Sequence, residues 1–236
     1  MTNNYPKISV IMSAYNSEKL LSRAIESILN QTFEDLEILI ADDGSSDKTY
    51  EICNFYSSKF SKVKIIQNEK NIGLTKTLNK LIKESTGDFI ARHDSDDVSH
   101  KFRLEKQYSY LMSKELDACT TRAKIIGSKS VVPGLSYYFP KKIILKFKNP
   151  FIHGSLLIKK SVIEKIGLYN EKFYFAQDYK LMNDIINRGY KVSIYKEVLY
   201  ELNMEDNISM NFKEEQKYFA DCVKRNIIPD KLWKFI

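Results

Sequence analysis

Cysteine is scarce. The three present, Cys53, Cys119 and Cys222, are far apart, odd in number and without metal-ligand spacing. A disulfide framework and a zinc site are therefore not indicated, and reduced core or surface thiols in a cytoplasmic protein are expected. Long apolar runs are missing as well: none approaches the ~20 residues needed to cross a bilayer. The amino terminus, Met1 to Lys7, is polar rather than charged and then apolar, so no signal segment is expected. Aromatic-interleaved basic modules and zinc-finger spacings are absent, which argues against nucleic acid as a partner. Linker-like and low-complexity tracts are lacking too, so the chain should be folded throughout.

What is present is enough apolar matter for one core. Of 236 residues, 43% are hydrophobic and 12% aromatic, and residues 1–236 are taken as a single α/β domain. The net charge of +7 suits anionic partners such as nucleotides or an anionic lipid surface, without choosing among them. The basic residues read as scattered, with concentrations at Lys141-Lys142 through Lys148 and at Lys159-Lys160, and a merely solvated surface explains them equally well.

The first half alternates short β-branched runs with helical spacing. Ile8–Met12 reads as a strand, Leu20 to Leu29 as a helix, Leu36–Ala41 as a strand, and the pattern repeats with a helix near Lys48–Ser58, a strand at Val63–Ile66, a helix near Leu74–Lys83 and a strand at Asp88–Arg92. Strands joined by crossover helices predict a doubly wound, mostly parallel sheet flanked by helices. Beyond it the spacing predicts a helix from Phe102 to about Lys114, an irregular stretch, a short helix near Lys141–Phe147 and a strand at Phe151–Ile158 carrying His153. A helix near Ser161–Ile166 follows, then one led by Asp178, strands near Tyr190–Tyr195 and Val198–Leu202, and a final helix from about Asn211. Residues 1–100 form the expected nucleotide-binding half, 101–205 the acceptor half and 206–236 a C-terminal helical extension.

In such sheets ligands bind beyond the carboxyl ends of the strands, and two acidic clusters fall there: Asp42-Asp43-Gly44-Ser45-Ser46-Asp47 and His93-Asp94-Ser95-Asp96-Asp97. Two carboxylates at i and i+2 on a turn can reach a divalent cation and a ribose hydroxyl together, and hard oxygen ligands select Mg2+ or Mn2+. Asp97 adds a third carboxylate. The same residues would equally make an Asx-rich turn capping the next helix. A carboxylate in the 42–43 cluster can accept the base N–H of a uridine nucleotide; Ser46 or Asp47 can also cap the following helix. Asp178, at a helix start, either complements the helix dipole or removes a proton as a general base. His153 is read as a core histidine, with a site role as the secondary reading.

Together these motifs resemble glycosyltransferase family 2, the inverting enzymes of the GT-A fold. The likeness covers nearly all of residues 7–200. It is carried by Ile8 to Asn16, Ser27 to Phe33, Asp42 to Asp47, Asn71-Ile72-Gly73-Leu74 with Asn79, Thr86 to Arg92 with Asp94 to Asp97, and Gln177-Asp178-Tyr179-Lys180-Leu181. The resemblance implies that Ser13 and Tyr15 line the nucleotide pocket, Asp43 holds the uracil, Asp94 the ribose and Asp96 the metal, with Asp178 as catalytic base. His153, Asp97, Arg92 and Asn71 are candidate donor or acceptor contacts. Two positions depart from the family's pattern: Gln177 stands where Glu is frequent, and no histidine follows His153, which excludes a late histidine metal ligand.

The resemblance implies transfer of a sugar from a nucleotide-diphosphate donor, UDP-linked, to a hydroxyl of a glycan or lipid-linked glycan in bacterial surface polysaccharide, lipopolysaccharide or glycoprotein synthesis. A peripheral contact with the membrane face would follow from a lipid-linked acceptor, with the 141–148 run, Trp233 and Phe235 as candidates for it. The oligomeric state stays open. A nicotinamide enzyme would need glycines after the first strand, where Ser13-Ala14-Tyr15-Asn16 has none. A sugar-phosphate nucleotidyltransferase and a non-catalytic nucleotide-sugar binding module remain the alternatives.

Overall fold

The computed structural model describes residues 7–205 and 212–230. Its centre is a nine-stranded sheet. The parallel half comprises β1 (Ile8–Ala14), β2 (Leu36–Asp42), β3 (Val63–Gln67) and β4 (Phe89–Arg92), joined by α1 (Leu21–Leu29), α2 (Thr49–Lys59) and α3 (Leu74–Glu84). The second half supplies β5 (Val98–Ser99), α4 (Arg103–Ser113), β6 (Ala118–Ile125), β7 (Val131–Val132), α5 (Lys141–Ile144), β8 (Leu157–Lys159), α6 (Lys160–Lys165), α7 (Gln177–Asn187), β9 (Val192–Leu202) and α8 (Lys213–Arg225).

The strand order is β3-β2-β1-β4-β8-β6-β9-β5, with β7 beside β6. β1 is flanked by β2 and β4, both parallel to it. Chain order therefore reverses between β1 and β4, and the crevice at that reversal is where an open α/β sheet binds its ligand. The extra strands β8 and β5 run antiparallel to their neighbours, whereas the long β6–β9 ladder is parallel.

Strand alternation divides the core in two. Ile8, Val10, Met12 and Ala14 face one layer with Ile38 and Ile40, where α1, α2 and α4 pack. Ile11, Leu39, Ala41 and Ile90 face the other, under α3, α6, α7 and α8. Helices on both faces bear out the doubly wound expectation. In α1 the buried residues are Leu21, Ala24, Ile25 and Ile28, one stripe at helical spacing. Each of its large side chains gains about 1.5–3 kcal/mol on leaving water. The C-terminal helix is present: the Phe219 ring of α8 packs edge-on 6.1 Å from Phe173 and tilted 5.7 Å from Phe175. Trp233 and Phe235 lie outside the described residues.

Three expectations are corrected. The stretch after α4 is not irregular: β6 runs through it, and its buried Thr120 and Thr121 hid it from a search for apolar alternation. The two strands expected at 190–202 are one, β9, whose register against β6 shifts twice near Arg122, so a bulge carries the ladder past Lys196-Glu197. His153 is not on a strand. A 3-10 turn spans His153–Ser155, and only Leu157–Lys159 is extended.

All three cysteines are buried and free, with burial pushing the thiols of Cys53 and Cys119 up to about 12. At the amino-terminal edge of the sheet, away from the crevice, Glu37 is only 2% exposed. It accepts bonds from Ser9 Oγ at 2.7 Å, Thr86 N at 2.7 Å and Lys64 Nζ at 2.9 Å. Burial alone would raise its carboxyl, but these donors outweigh it and hold it well below the usual range. A depressed folded value contributes stability above the ordinary 4.5 that is lost as pH falls below it. Glu37→Gln should flatten the acid limb of Tm against pH below that value by the equivalent of about 2 kcal/mol; identical acid limbs in variant and wild type would contradict the assignment.

Candidate functional site

The site is built at the tips of β1, β2 and β4. β1 delivers Ser13, half-buried, and Tyr15, 49% exposed. Asn16 takes a positive φ of 48° and its side-chain oxygen accepts Ser46 N–H at 2.9 Å, so the loops after β1 and β2 are tied together. Asp47, rather than Ser46, meets the start of α2: its Oδ1 accepts Thr49 N–H at 3.0 Å and its Oδ2 accepts Glu18 N–H at 3.0 Å.

Asp43 is buried and organises the next loop. Its Oδ1 accepts Asn68 Nδ2 at 2.8 Å and Ile72 N at 3.0 Å, and its Oδ2 accepts Gly73 N at 3.0 Å. Asn71 Oδ1 accepts the same Gly73 N–H at 2.9 Å. Gly44 permits the crossing of the two loops: at φ 73° a Cβ there would lie 2.5 Å from the Lys70 carbonyl carbon. Asp43 thus fastens Asn71 beside the acidic turn, with acceptor capacity left at Oδ2 for one further donor.

The 93–97 loop rests on two buried cations. Arg92 is 1% exposed and pairs with Asp94 Oδ1. Arg103 of α4, fully buried, donates to the carbonyls of Arg92 at 3.2 Å and Gly154 at 3.4 Å, and lies 5.4 Å over the Tyr200 ring. Burial would raise the Asp94 carboxyl, yet Arg92, then His153, hold it below its ordinary value. The two carboxylates beyond it go the other way. Burial and Asp94 push Asp96 up, and burial with both neighbours pushes Asp97 up to about 8.

Loop shape is fixed by hydrogen bonds from several elements. Tyr200 hydroxyl accepts Asp94 N–H at 3.1 Å, Ser17 and Ser95 hydroxyls meet at 2.9 Å, and Arg23 donates to the Asp96 carbonyl at 3.1 Å. His93, driven down to about 3 by burial and Arg103, is neutral and bonds the Asp94 carbonyl at 2.7 Å. Asp97 turns inward, 2% exposed, and accepts Asn203 N–H at 2.7 Å. Of the three carboxylates, Asp94 and Asp96 face the crevice half-exposed, while Asp97 anchors the loop to the end of β9.

On the other wall stands Asp178, in the first turn of α7. The residue before the helix, Ala176, is buried with a left-handed φ of 52°, a strained geometry for a side chain bearing Cβ that aims the helix start. Asp178 Oδ2 accepts Asn149 Nδ2 at 2.8 Å. Between the walls His153 Nε2 meets the Tyr169 hydroxyl at 2.7 Å. Burial and then Arg92 push His153 down to about 4, opposed by Asp178 and Asp94, so this neutral imidazole feels both carboxylates. Arg92, Asp94, His153 and Asp178 are therefore one electrostatic cluster. Ser13 and Tyr15 lie at the end of β1, and Asp43 and Asn71 meet at Gly73 N–H beyond the end of β2.

Sequence reasoning did not single out Arg103, Tyr169, Tyr200, Asn149 or Asn203. All act from elements remote in the chain, and the only local trace is an arginine on the buried face of α4. The donor set suits a hard divalent cation shared with a bound ligand. Among the described residues no group of three His, Cys, Asp or Glu converges to hold a metal alone, yet Asp96 sits half-exposed in a field of like charge that a cation would relieve.

Known proteins of one family resemble this chain. The family model described as Glycosyl transferase family 2 matches residues 9–167. The O-antigen biosynthesis glycosyltransferase WbnJ of Escherichia coli is 39% identical over 185 residues, covering 76% of this chain and 72% of that protein. Among solved structures, S. aureus TarS 1-349 in complex with UDP-GlcNAc superposes with a TM-score of 0.75 at 22% identity, over 87% of this chain and 61% of that one. Mannosyltransferase PcManGT from Pyrobaculum calidifontis, in complex with GDP-Man and Mn2+, gives 0.74 at 17% identity, over 92% and 62%. The chain thus spans about three fifths of the length of these two solved chains. The GT-A fold expected from the sequence is borne out, and neither alternative function finds support.

Gly154 is the tightest point of the site: a Cβ there would lie 2.3 Å from the Tyr200 hydroxyl and 2.5 Å from Asp94 Oδ2. Gly154→Ala should cost about 1–3 kcal/mol in thermal or denaturant unfolding. Lys76→Ala, on the exposed face of α3, should be near neutral. Equal effects of the two substitutions would show that residue 154 does not wedge the Asp94 loop.

Proposed function

The chain belongs to glycosyl transferase family 2, and we propose that it is an inverting transferase, moving a sugar from a UDP-sugar to a hydroxyl of a bacterial surface glycan or its lipid-linked precursor. The observation that carries this reading is the convergence of Asp94 and Asp178 on the His153–Gly154 turn: a Cβ on Gly154 would lie 2.5 Å from Asp94 Oδ2, and His153 feels both carboxylates. Relatives support the substrate class: WbnJ by its O-antigen role, TarS by its bound UDP-GlcNAc.

In this reading Ser13 and Tyr15 flank the nucleotide, and Asp43 offers its remaining acceptor capacity to the base while holding Asn71 in place. Asp94, kept ionised by Arg92, accepts from a ribose hydroxyl. Asp96 would hold a divalent cation, Mn2+ or Mg2+, together with diphosphate oxygens. Bound there, the cation would offset the negative charge that builds on the departing diphosphate.

Asp178 takes the proton from the acceptor hydroxyl as it attacks the anomeric carbon from the face opposite the diphosphate. The carbon–oxygen bond to the donor breaks as the new one forms, the electron pair leaves on the nucleoside diphosphate, and the stereochemistry inverts. The Asn149 bond fixes the carboxylate's rotamer, leaving Oδ1 for the incoming proton. Arg92 lies beneath both sides of the cluster. With its Nε and one terminal nitrogen unpartnered within the protein, it keeps positive potential under the reacting centre.

Asp178→Asn should lower turnover by about 10²–10⁴-fold with nucleotide affinity nearly unchanged, whereas Asp96→Asn should weaken cation-dependent donor binding itself. Calorimetric titration with UDP and manganese, alongside an assay for released nucleoside diphosphate, separates the two. Loss of nucleotide binding in the Asp178 variant, or pyrophosphate as the product, would contradict the assignment.

A further inference from the structure

Between β7 and α7 the chain builds a surface unlike the rest of the molecule. A 3-10 turn at Leu135–Tyr138 leads into α5. Two residues tie this segment down: Leu145 is buried in the core and Tyr137 packs against it, with the Arg122 guanidinium 5.2 Å from the Tyr137 ring. With those anchors inward, Leu135, Tyr138, Phe139, Ile143 and Phe147 are left 81%, 73%, 54%, 51% and 68% exposed. Ile143 and Phe147 are about one helical turn apart, and Leu135 and Tyr138 stand three apart on the 3-10 turn, so each pair projects to a common side. Single exposed apolar side chains are ordinary; five within one short segment mark an interaction site.

Charge follows the same segment. From Asp117 to Glu164 no carboxylate side chain intervenes, while nine Lys and Arg do, against +7 for the whole chain. The remainder is thus slightly acidic, so the chain's excess of positive charge is concentrated in this stretch. Lys142, Lys146 and Lys148 are exposed among the apolar residues. A second copy is a poor occupant, because a two-fold contact through this patch would oppose lysine to lysine. An anionic bilayer complements it: the apolar side chains enter the headgroup boundary and the ammonium groups meet lipid phosphates.

The segment also leads into the site. Immediately after it Asn149 bonds Asp178, and the Tyr179 hydroxyl of α7 donates to the Leu145 carbonyl. We propose that residues 135–148 dock the protein on an anionic lipid bilayer, placing the Asp178 end of the crevice at that surface, where acceptors carried in the bilayer reach it. Docking stands on the patch alone; delivery of the acceptor rests on the transferase reading above.

The test is flotation of the purified full chain with vesicles of phosphatidylglycerol and phosphatidylcholine, against vesicles of phosphatidylcholine only, without donor or cation. Binding should require the anionic lipid. Ile143→Asp with Phe147→Asp, and separately Lys142→Glu with Lys146→Glu and Lys148→Glu, should each lower it by about tenfold or more. Circular dichroism and Tm should stay at wild-type values, since all five residues are exposed. Absence of vesicle binding, binding indifferent to these variants, or a dimer in sedimentation that they dissolve would each overturn docking. Vesicle binding by a protein that releases no nucleoside diphosphate would instead overturn the transferase reading and leave docking standing.

Discussion

The site depends on one ion pair whose arginine is buried. Arg92, at the last position of β4, has no access to water, and the Asp94 carboxylate that answers it forms the lip of the crevice. Removing Asp94 would leave the buried guanidinium uncompensated, at a cost of about 3–5 kcal/mol. The pair is reinforced by Arg103 beneath the same backbone and by Tyr200, whose hydroxyl receives the Asp94 N–H. Three carboxylates in four residues would otherwise repel one another. Here one is held ionised by an arginine, one is turned inward with its carboxyl pushed up to about 8, and one is left at the crevice.

That division of labour could not be read from Asp94-Ser95-Asp96-Asp97 as a string. Spacing showed that the cluster ends a strand, and the topology adds that it stands beside β1 at the reversal of strand order. Which aspartate points inward is decided by Asn203 at the end of β9, more than one hundred residues away. The same holds for Asp178. Its helix was legible from the pattern after Gln177, whereas its partner Asn149 and the left-handed Ala176 before it were not.

The parallel half of the sheet was the most legible because both faces of β1 and β2 are buried and their runs are almost wholly apolar. The second half resisted for a physical reason. β6 is lined by buried threonines and carries Arg122, β9 passes through a bulge, and the chain around Gly154 forms a turn where an extended run was expected. Gly154 must come close to Asp94 and Tyr200, and that contact, set by the site rather than by local propensity, breaks the strand.

The most direct examination of the account is a crystal structure with UDP and manganese, read in the anomalous signal of the metal. The account predicts one strong peak against the Asp96 carboxylate and the diphosphate, the ribose at Asp94, and Asp178 across the crevice from them. A peak held instead by Asp178, or a nucleotide bound away from the tips of β1 and β4, would contradict it.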